Sequence, residues 1–397
     1  MKRAIYIPGL GHEQLDISVK AYAQRMMKAI DEQNHNPSNT YRIESSDREY
    51  DGSGNVADVV SIFEINQGKE KEVYRFFEFK YGNFLTSRYR ESNILFKFVT
   101  LLLVLLTRFS SVLKSLLSFR DQIDGKSKVQ AFYYVILYII LACYLVILIP
   151  SLLTFLASFV DQSLFPAEVR DIIKASEVYA NGLIASFAGF MLLTSNSKNI
   201  FSDMAIEYLG ANQYLSVGKN KLLIMGKLNR LIEVVSEEDK DVKIEVHAYS
   251  FGSVLAIDAI FPYTAEPSER IKKSITKLVT IGCPFNFIDI YWSGYFSNRK
   301  FTGLSLDKWQ NINSDLDVLS TRFDKFPVKR KTFIASDQFW EKFSDVDITY
   351  NMVNPDQVGY TKMFLFYGLK AHSNYWDEHV DAISCLLLIV DKPVATP

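Results

Sequence analysis

From Ala131 to Val160 the chain runs for 30 residues without a charge, AFYYVILYIILACYLVILIPSLLTFLASFV. At a rise of about 1.5 Å per helical residue, this exceeds the roughly 20 residues that cross a bilayer. The alternative, a buried helix in a large soluble core, rarely continues so far uncharged. Tyr133, Tyr134 and Tyr138 lie near the start, where aromatic rings sit at headgroup level, and Pro150 kinks or ends the span. Only 14 charged residues fall between Ile94 and Ser195.

Two neighbouring stretches are candidate partners. Ile94 to Leu117 is apolar but places Lys97, Thr100, Arg108, Ser111, Ser115 and Ser118 on one helical face, as in an interfacial helix or one covered by a partner. Val178 to Thr194 is short and uncharged, with small residues at Gly182/Ser186 and Ala185/Gly189 that permit close helix contact and leave a homo-oligomer open. The sequence on either side reads as one folded unit, so the number of spans is even. The expectation is two: 131–153 with either 94–117 or 178–194. Arg88 and Arg90 place the flanking domain on the cytoplasmic side. The division follows: an N-terminal part over 1–92, a membrane-embedded helical insertion over 93–195, and a C-terminal part over 196–397.

Composition narrows the function. A net charge of -1 gives no basic excess for nucleic acid. Three scattered cysteines form neither a disulfide framework nor a CxxC pair. No HExxH, Walker loop or dinucleotide fingerprint is present, so neither metal nor cofactor is expected.

Outside the apolar zone, strands alternate with helices. Lys2–Ile7 reads as a strand ended by Pro8-Gly9-Leu10-Gly11, with a helix over 14–33, a polar break over 34–39, and strands at 59–65 and 73–79. Residues 219–237 have helical apolar spacing. A strand over 242–247 runs into Ala248-Tyr249-Ser250-Phe251-Gly252-Ser253 and an apolar helix. Strands at 277–282, 309–312 and 363–367 and a closing helix over 378–390 complete an α/β pattern with a largely parallel sheet.

The turn at Ser250 carries chemistry. A nucleophilic serine at a sharp strand-to-helix turn needs small residues two before and two after it, here Ala248 and Gly252. The same turn aims the backbone N–H of Phe251 at a developing oxyanion. An ordinary strand-to-helix turn with a small polar residue has the same local pattern.

The chain resembles the α/β-hydrolase superfamily, its lipase-like and esterase-like branches in particular. AYSFGS is similar to the nucleophile elbow, with Ala248 in place of the usual glycine, and YIPGLGH to the loop giving the second oxyanion donor, which falls on Leu10. VTIGCP is similar to the strand end after the elbow helix, with Cys283 where serine is more usual. KWQNINSDLDV resembles the strand leading to the triad acid, and KAHSNYW the late histidine loop. The resemblance spans roughly 2–85 and 196–390 and implies an α/β-hydrolase fold, interrupted by the transmembrane insertion, with Ser250, Asp317 and His372 as a triad in that order. Asp315 would serve equally by chemistry as the acid. Of the other histidines, His12 borders the glycine loop and is a candidate substrate contact, as is Tyr249. His247 reads as a satisfied buried residue, His35 as solvated, and His379 as a surface or packing residue.

The resulting expectation is a membrane-anchored serine hydrolase that cleaves a phospholipid or acylglycerol ester through an acyl-enzyme, with the bilayer and an acylated substrate as partners. A membrane protein deacylase or thioesterase, a lipase-type toxin or defence effector, and a non-catalytic scaffold are the alternatives.

Overall fold

The computed structural model describes residues 1–11, 18–34, 39–93, parts of 96–111 and 166–174, 197–263, 266–324, 332–350, 371–376 and 384–390, apart from the single positions 53, 217, 240, 241, 302 and 318 and residue 373. Eight strands form one sheet in the order β2-β3-β4-β1-β5-β6-β7-β8. They are β1 (Lys2–Ile7), β2 (Asn39–Glu49), β3 (Val56–Asn66), β4 (Lys69–Glu78), β5 (Ile244–Tyr249), β6 (Ile275–Ile281), β7 (Lys308–Asn313) and β8 (Asp347–Thr349). β2, β3 and β4 form an antiparallel meander. From β4 through β1 to β8 every neighbouring pair is parallel.

The central strands are buried on both faces, which explains their near-continuous apolar sequence. Side chains still alternate, two residues per repeat. Ile5, Ile7, Val246, Ala248 and Leu278 join one core, while Ala4, Tyr6, Tyr249, Val279 and Ile281 join the other. The second core is closed by α1 (Val19–Asn34), which buries Val19, Tyr22, Ala23, Met26, Ala29 and Ile30. That spacing gives a single apolar stripe. The first core is covered by α3 (Ser197–Ser216), α4 (Gly218–Ser236), α5 (Phe251–Ile260) and α7 (Phe285–Tyr291). Of the short helices, α2 (Gly82–Arg90) packs on α3, α6 (Glu269–Ser274) precedes β6, and α8 (Asp337–Lys342) precedes β8.

One buried charge network pins α5 to its neighbours. Asp258 Oδ1 lies 2.7 Å from Arg299 Nη2 and Asp258 Oδ2 lies 2.9 Å from Lys221 Nζ. Tyr214 donates to the same carboxylate at 2.8 Å, and Tyr295 donates to it as well. Arg299 also donates to the carbonyls of Phe261 and Tyr295. Burial opposes the charge on Asp258, yet Arg299 and Lys221 outweigh it and hold its pKa below the ordinary value.

The expected α/β-hydrolase fold with a transmembrane insertion is corrected. The sheet is a mixed α/β sheet, and among the described residues no helix is long and apolar enough to cross a membrane. The same finding overturns the expected two-span integral-membrane placement. The candidates 131–153 and 178–194 lie outside the described residues, and 94–117 is described only in part. The described part meets the rest of the protein on one face. Leu101 and Val104 pack against Tyr89, Ile206 and Leu209. Arg108 stacks over Trp292 at 5.1 Å and donates to Ser216 at 2.6 Å. One face of this helix is thus spent on protein contacts, while Phe96, Leu103, Leu106 and Phe109 are exposed. The expected strand at 363–367 also lies outside the described residues, and the part of 378–390 that is described holds a 3₁₀ turn, Cys385–Leu388.

Breaking a buried ion network by removing one member leaves uncompensated charge behind. Asp258→Ala is expected to lower unfolding stability by about 3–5 kcal/mol, read from denaturant titration against the wild type.

Candidate active site

β1, β5, β6 and β7 run parallel, so their carboxyl ends share one edge of the sheet. The segments leaving those ends carry Pro8–Gly11, Ser250, Gly282 and Ser314–Asp317. Side chains far apart in sequence therefore converge, at the edge where open α/β sheets bind ligands.

Ser250 links β5 to α5 with φ 52° and ψ -126°. A non-glycine residue in such a conformation carries strain of about 1–3 kcal/mol. Its neighbours impose it: Ser250 N–H donates to the Ile281 carbonyl at 2.8 Å, and the Ser250 carbonyl accepts from Ser253 N–H at 2.9 Å. The turn pushes the serine hydroxyl off the sheet and starts a helix at the next residue. Phe251, first in α5, has an N–H without an intrahelical acceptor.

Gly252 shows why this turn tolerates no side chain. A Cβ there would stand 2.3 Å from the Ile7 carbonyl oxygen and 2.5 Å from that of Pro8. The elbow is thus pressed against the loop holding Leu10, the second expected oxyanion donor. Leu10 is buried, and Tyr81 donates to the Pro8 carbonyl at 3.0 Å.

Three expected residues come together. His372 Nε2 lies 2.6 Å from Ser250 Oγ, and His372 Nδ1 lies 2.8 Å from Asp317 Oδ2. One neutral tautomer satisfies both contacts: Nδ1–H donates to the carboxylate and Nε2 accepts from the serine hydroxyl. Asp317 is fully buried, His372 is buried and Ser250 is half-buried. Asp317 Oδ1 accepts from Leu319 N–H at 2.9 Å, and Ser320 Oγ donates to the carbonyls of Ser314 and Asp317, each at 3.1 Å. Thr321 N–H ties this loop to the Cys283 carbonyl. Asp315 instead points toward Arg322 at 3.7 Å and is partly exposed.

The structure places Tyr249, a candidate substrate contact, inside the fold. It is fully buried, its ring stacks on His372 with centroids 5.5 Å apart, and its hydroxyl donates to the His372 carbonyl at 2.5 Å. His247 is buried between Tyr22 at 2.6 Å and Glu245 at 3.0 Å. Burial lowers its pKa, against the opposing pull of Glu245. His12, His35 and His379 lie outside the described residues.

Sequence reasoning gave no role to Gly282 or Tyr375. Gly282 has φ 60°, and a Cβ there would meet His372 Cε1 and Tyr375 Cε2, both at 3.0 Å, and Asp317 Oδ2 at 3.3 Å. The glycine in VTIGCP was the available signal. Tyr375, in the 3₁₀ turn Asn374–Trp376, donates to Asp317 Oδ2 at 2.9 Å. Burial, and then the negative charge of Asp317, raise the phenols of Tyr249 and Tyr375 well above their ordinary pKa, so both are neutral donors. Burial pushes the Cys283 thiol up to about 12, which removes it as a competing nucleophile.

Chemically, the array is a hydroxyl aligned with an imidazole base, itself oriented by a buried carboxylate. Among the described residues, no group of three or more His, Cys, Asp or Glu is placed to hold a metal ion. The Gly252 contact yields a direct expectation. Gly252→Ala must displace the Pro8–Gly11 loop, and the rate at which a fluorophosphonate labels Ser250 is expected to fall about 10²–10³-fold, the usual loss for one oxyanion donor. Compared with protein-family models, with curated proteins and with solved structures, the chain finds no match in any of the three.

Proposed function

We propose that this protein is a serine hydrolase that cleaves carboxylic esters or thioesters through an acyl-enzyme. The observation that carries this reading is the unbroken chain of contacts from Ser250 Oγ through His372 to Asp317, on a strained elbow. A serine hydroxyl is a weak nucleophile until a base takes its proton, and neutral imidazole is matched to that task near pH 7. The resemblance of the elbow, glycine-loop and late-histidine segments to lipase-like and esterase-like serine hydrolases supports the same chemistry.

In the proposed reaction, Ser250 Oγ attacks the acyl carbonyl as His372 Nε2 takes its proton. The tetrahedral oxyanion accepts hydrogen bonds from the N–H groups of Phe251 and Leu10. The imidazolium, steadied by Asp317, returns the proton to the leaving alcohol or thiol oxygen or sulfur, and the C–O or C–S bond breaks. Water then attacks the acyl-enzyme with His372 again as base, releasing the acid and restoring Ser250. Lipid esters are the first substrate class to test, because the elbow, glycine-loop and late-histidine segments resemble those of lipase-like hydrolases.

Fluorophosphonate labelling is expected in the wild type and absent in Ser250→Ala; labelling that persists unchanged in this variant sinks the assignment. Asp317→Asn is expected to reduce ester turnover by about 10⁴-fold. Asp315→Asn is expected to leave it within a factor of two or so, because Asp315 faces Arg322 and not His372. The ratio of the two rates on one soluble ester decides the acid.

A further inference from the structure

The acid is held by more than the histidine. Asp317 Oδ2 accepts two side-chain donors at once, His372 Nδ1 at 2.8 Å and the Tyr375 hydroxyl at 2.9 Å. Tyr375 lies three residues after His372, so one short segment both supplies the base and grips the acid. The grip is rigid. The Tyr375 ring is fully buried, edge-on to Tyr249 and His372 at 6.4 Å each and stacked on Tyr350 at 6.3 Å. Gly282 leaves room for it. The next residue, Trp376, is anchored between Tyr249 at 5.1 Å, Tyr22 at 5.7 Å and Arg25 at 5.6 Å.

We propose that Tyr375 is a positioning residue for the Asp317–His372 pair, fixing the carboxylate and withdrawing part of its charge from the imidazolium. This rests on the serine-hydrolase reading above. A donor on Oδ2 neutralises some of the carboxylate's negative charge, so the imidazolium is stabilised less and the base is easier to deprotonate. The same donor prevents the carboxylate from rotating away from Nδ1–H. Tyr375 therefore acts on the base through the charge of the carboxylate as well as through its orientation.

The phenols and the thiol that face this pair stay neutral within an ordinary assay range. Tyr249 from β5 and Tyr375 itself are neutral, their phenols raised first by burial. Burial also raises the thiol of Cys385, which senses Tyr375 from the 3₁₀ turn Cys385–Leu388. Ser320 and Tyr350 face Tyr375 from the acid loop and from the end of β8. Glu207 of α3 senses Tyr249 on the nucleophile side and is common to every variant below.

The test is the rate of fluorophosphonate labelling against pH for the wild type, Tyr375→Phe and a protein carrying fluorotyrosine at 375. In Tyr375→Phe the midpoint of the acid limb is expected to rise by about half a pH unit or more, and the plateau rate to fall roughly tenfold, as for a lost hydrogen bond to a charged group. Fluorotyrosine keeps the ring and strengthens the donor, so its midpoint is expected to move down. It decides the question alone if the Phe variant does not fold. A midpoint unmoved from wild type in whichever folded variant is measured overturns the role of Tyr375. Wild-type protein that is never labelled, or labelling that persists in Ser250→Ala, overturns the parent reading and this one with it.

Discussion

The pairing of β1 with β5 holds this protein together, because it joins residues 1–92 to residues 196–397. Arg3 to Ile7 run in parallel register with Ile244 to Ala248. Just beyond the register, the backbone of Gly252 presses on the carbonyls of Ile7 and Pro8. Side by side, these strands bring the serine turn and the glycine loop into contact, so the site exists only when the two parts of the chain share a sheet. Parallel pairing across so long a separation carries a loop-closure cost that local contacts cannot offset. It is met by the two buried cores, one on each face.

Those faces divide the work at the site. Ala248 and Val246 point into the core under α4 and α5, which seats the elbow. Glu245, His247 and Tyr249 point the other way, toward α1, because strand residues alternate. On that side, Tyr22 of α1 meets His247, Tyr6 and Trp376, and Tyr249 meets His372. His372 is thus held by an aromatic cluster built largely from α1 and β5. Ser250 is held in its strained conformation by the elbow, which is seated on the opposite face. Ser250 needs both, since strain persists only where the surroundings over-determine it.

Much of the central sheet could be read from the sequence, because doubly buried strands are short apolar runs between turn signals. β1, β5, β6 and β7 fall within a residue or two of expectation. The elbow stood out for a local reason, since small residues around a serine at a strand end have a steric cause. β2 was not foreseen: NTYRIESSDRE is an exposed edge strand with few apolar residues, and its partner β3, not its own pattern, specifies it. β8 has three residues, too few for any period. Tyr375 and Gly282 escaped assignment because their roles are tertiary: no spacing in one chain segment shows that a phenol reaches a carboxylate 58 residues earlier. The apolar zone is a different case: its described part packs Leu101 and Val104 against Tyr89, Ile206 and Leu209 and leaves Leu103, Leu106 and Phe109 exposed, and hydropathy alone does not separate those two faces.

The place where that zone joins the fold matters to the site. Residues 93–195 leave the chain after α2 and rejoin it at α3, and these two helices pack against each other. α3 also touches the glycine loop at two points. A Cβ on Gly210 would lie 3.3 Å from Leu10 Cδ2 and 3.4 Å from the Leu85 carbonyl oxygen of α2. One turn earlier, the Glu207 side chain lies so close to Gly11 that a Cβ on that glycine would stand 2.2 Å from its Oε1. With φ 87° as well, Gly11 accepts no other residue without strain. Close-packed contacts transmit displacement and do not absorb it. A shift of α3 relative to α2 would therefore reach Leu10, and with it the N–H proposed to bind the oxyanion. Residues 93–195 thus join the fold at α2 and α3, the two helices packed around the Pro8–Gly11 loop.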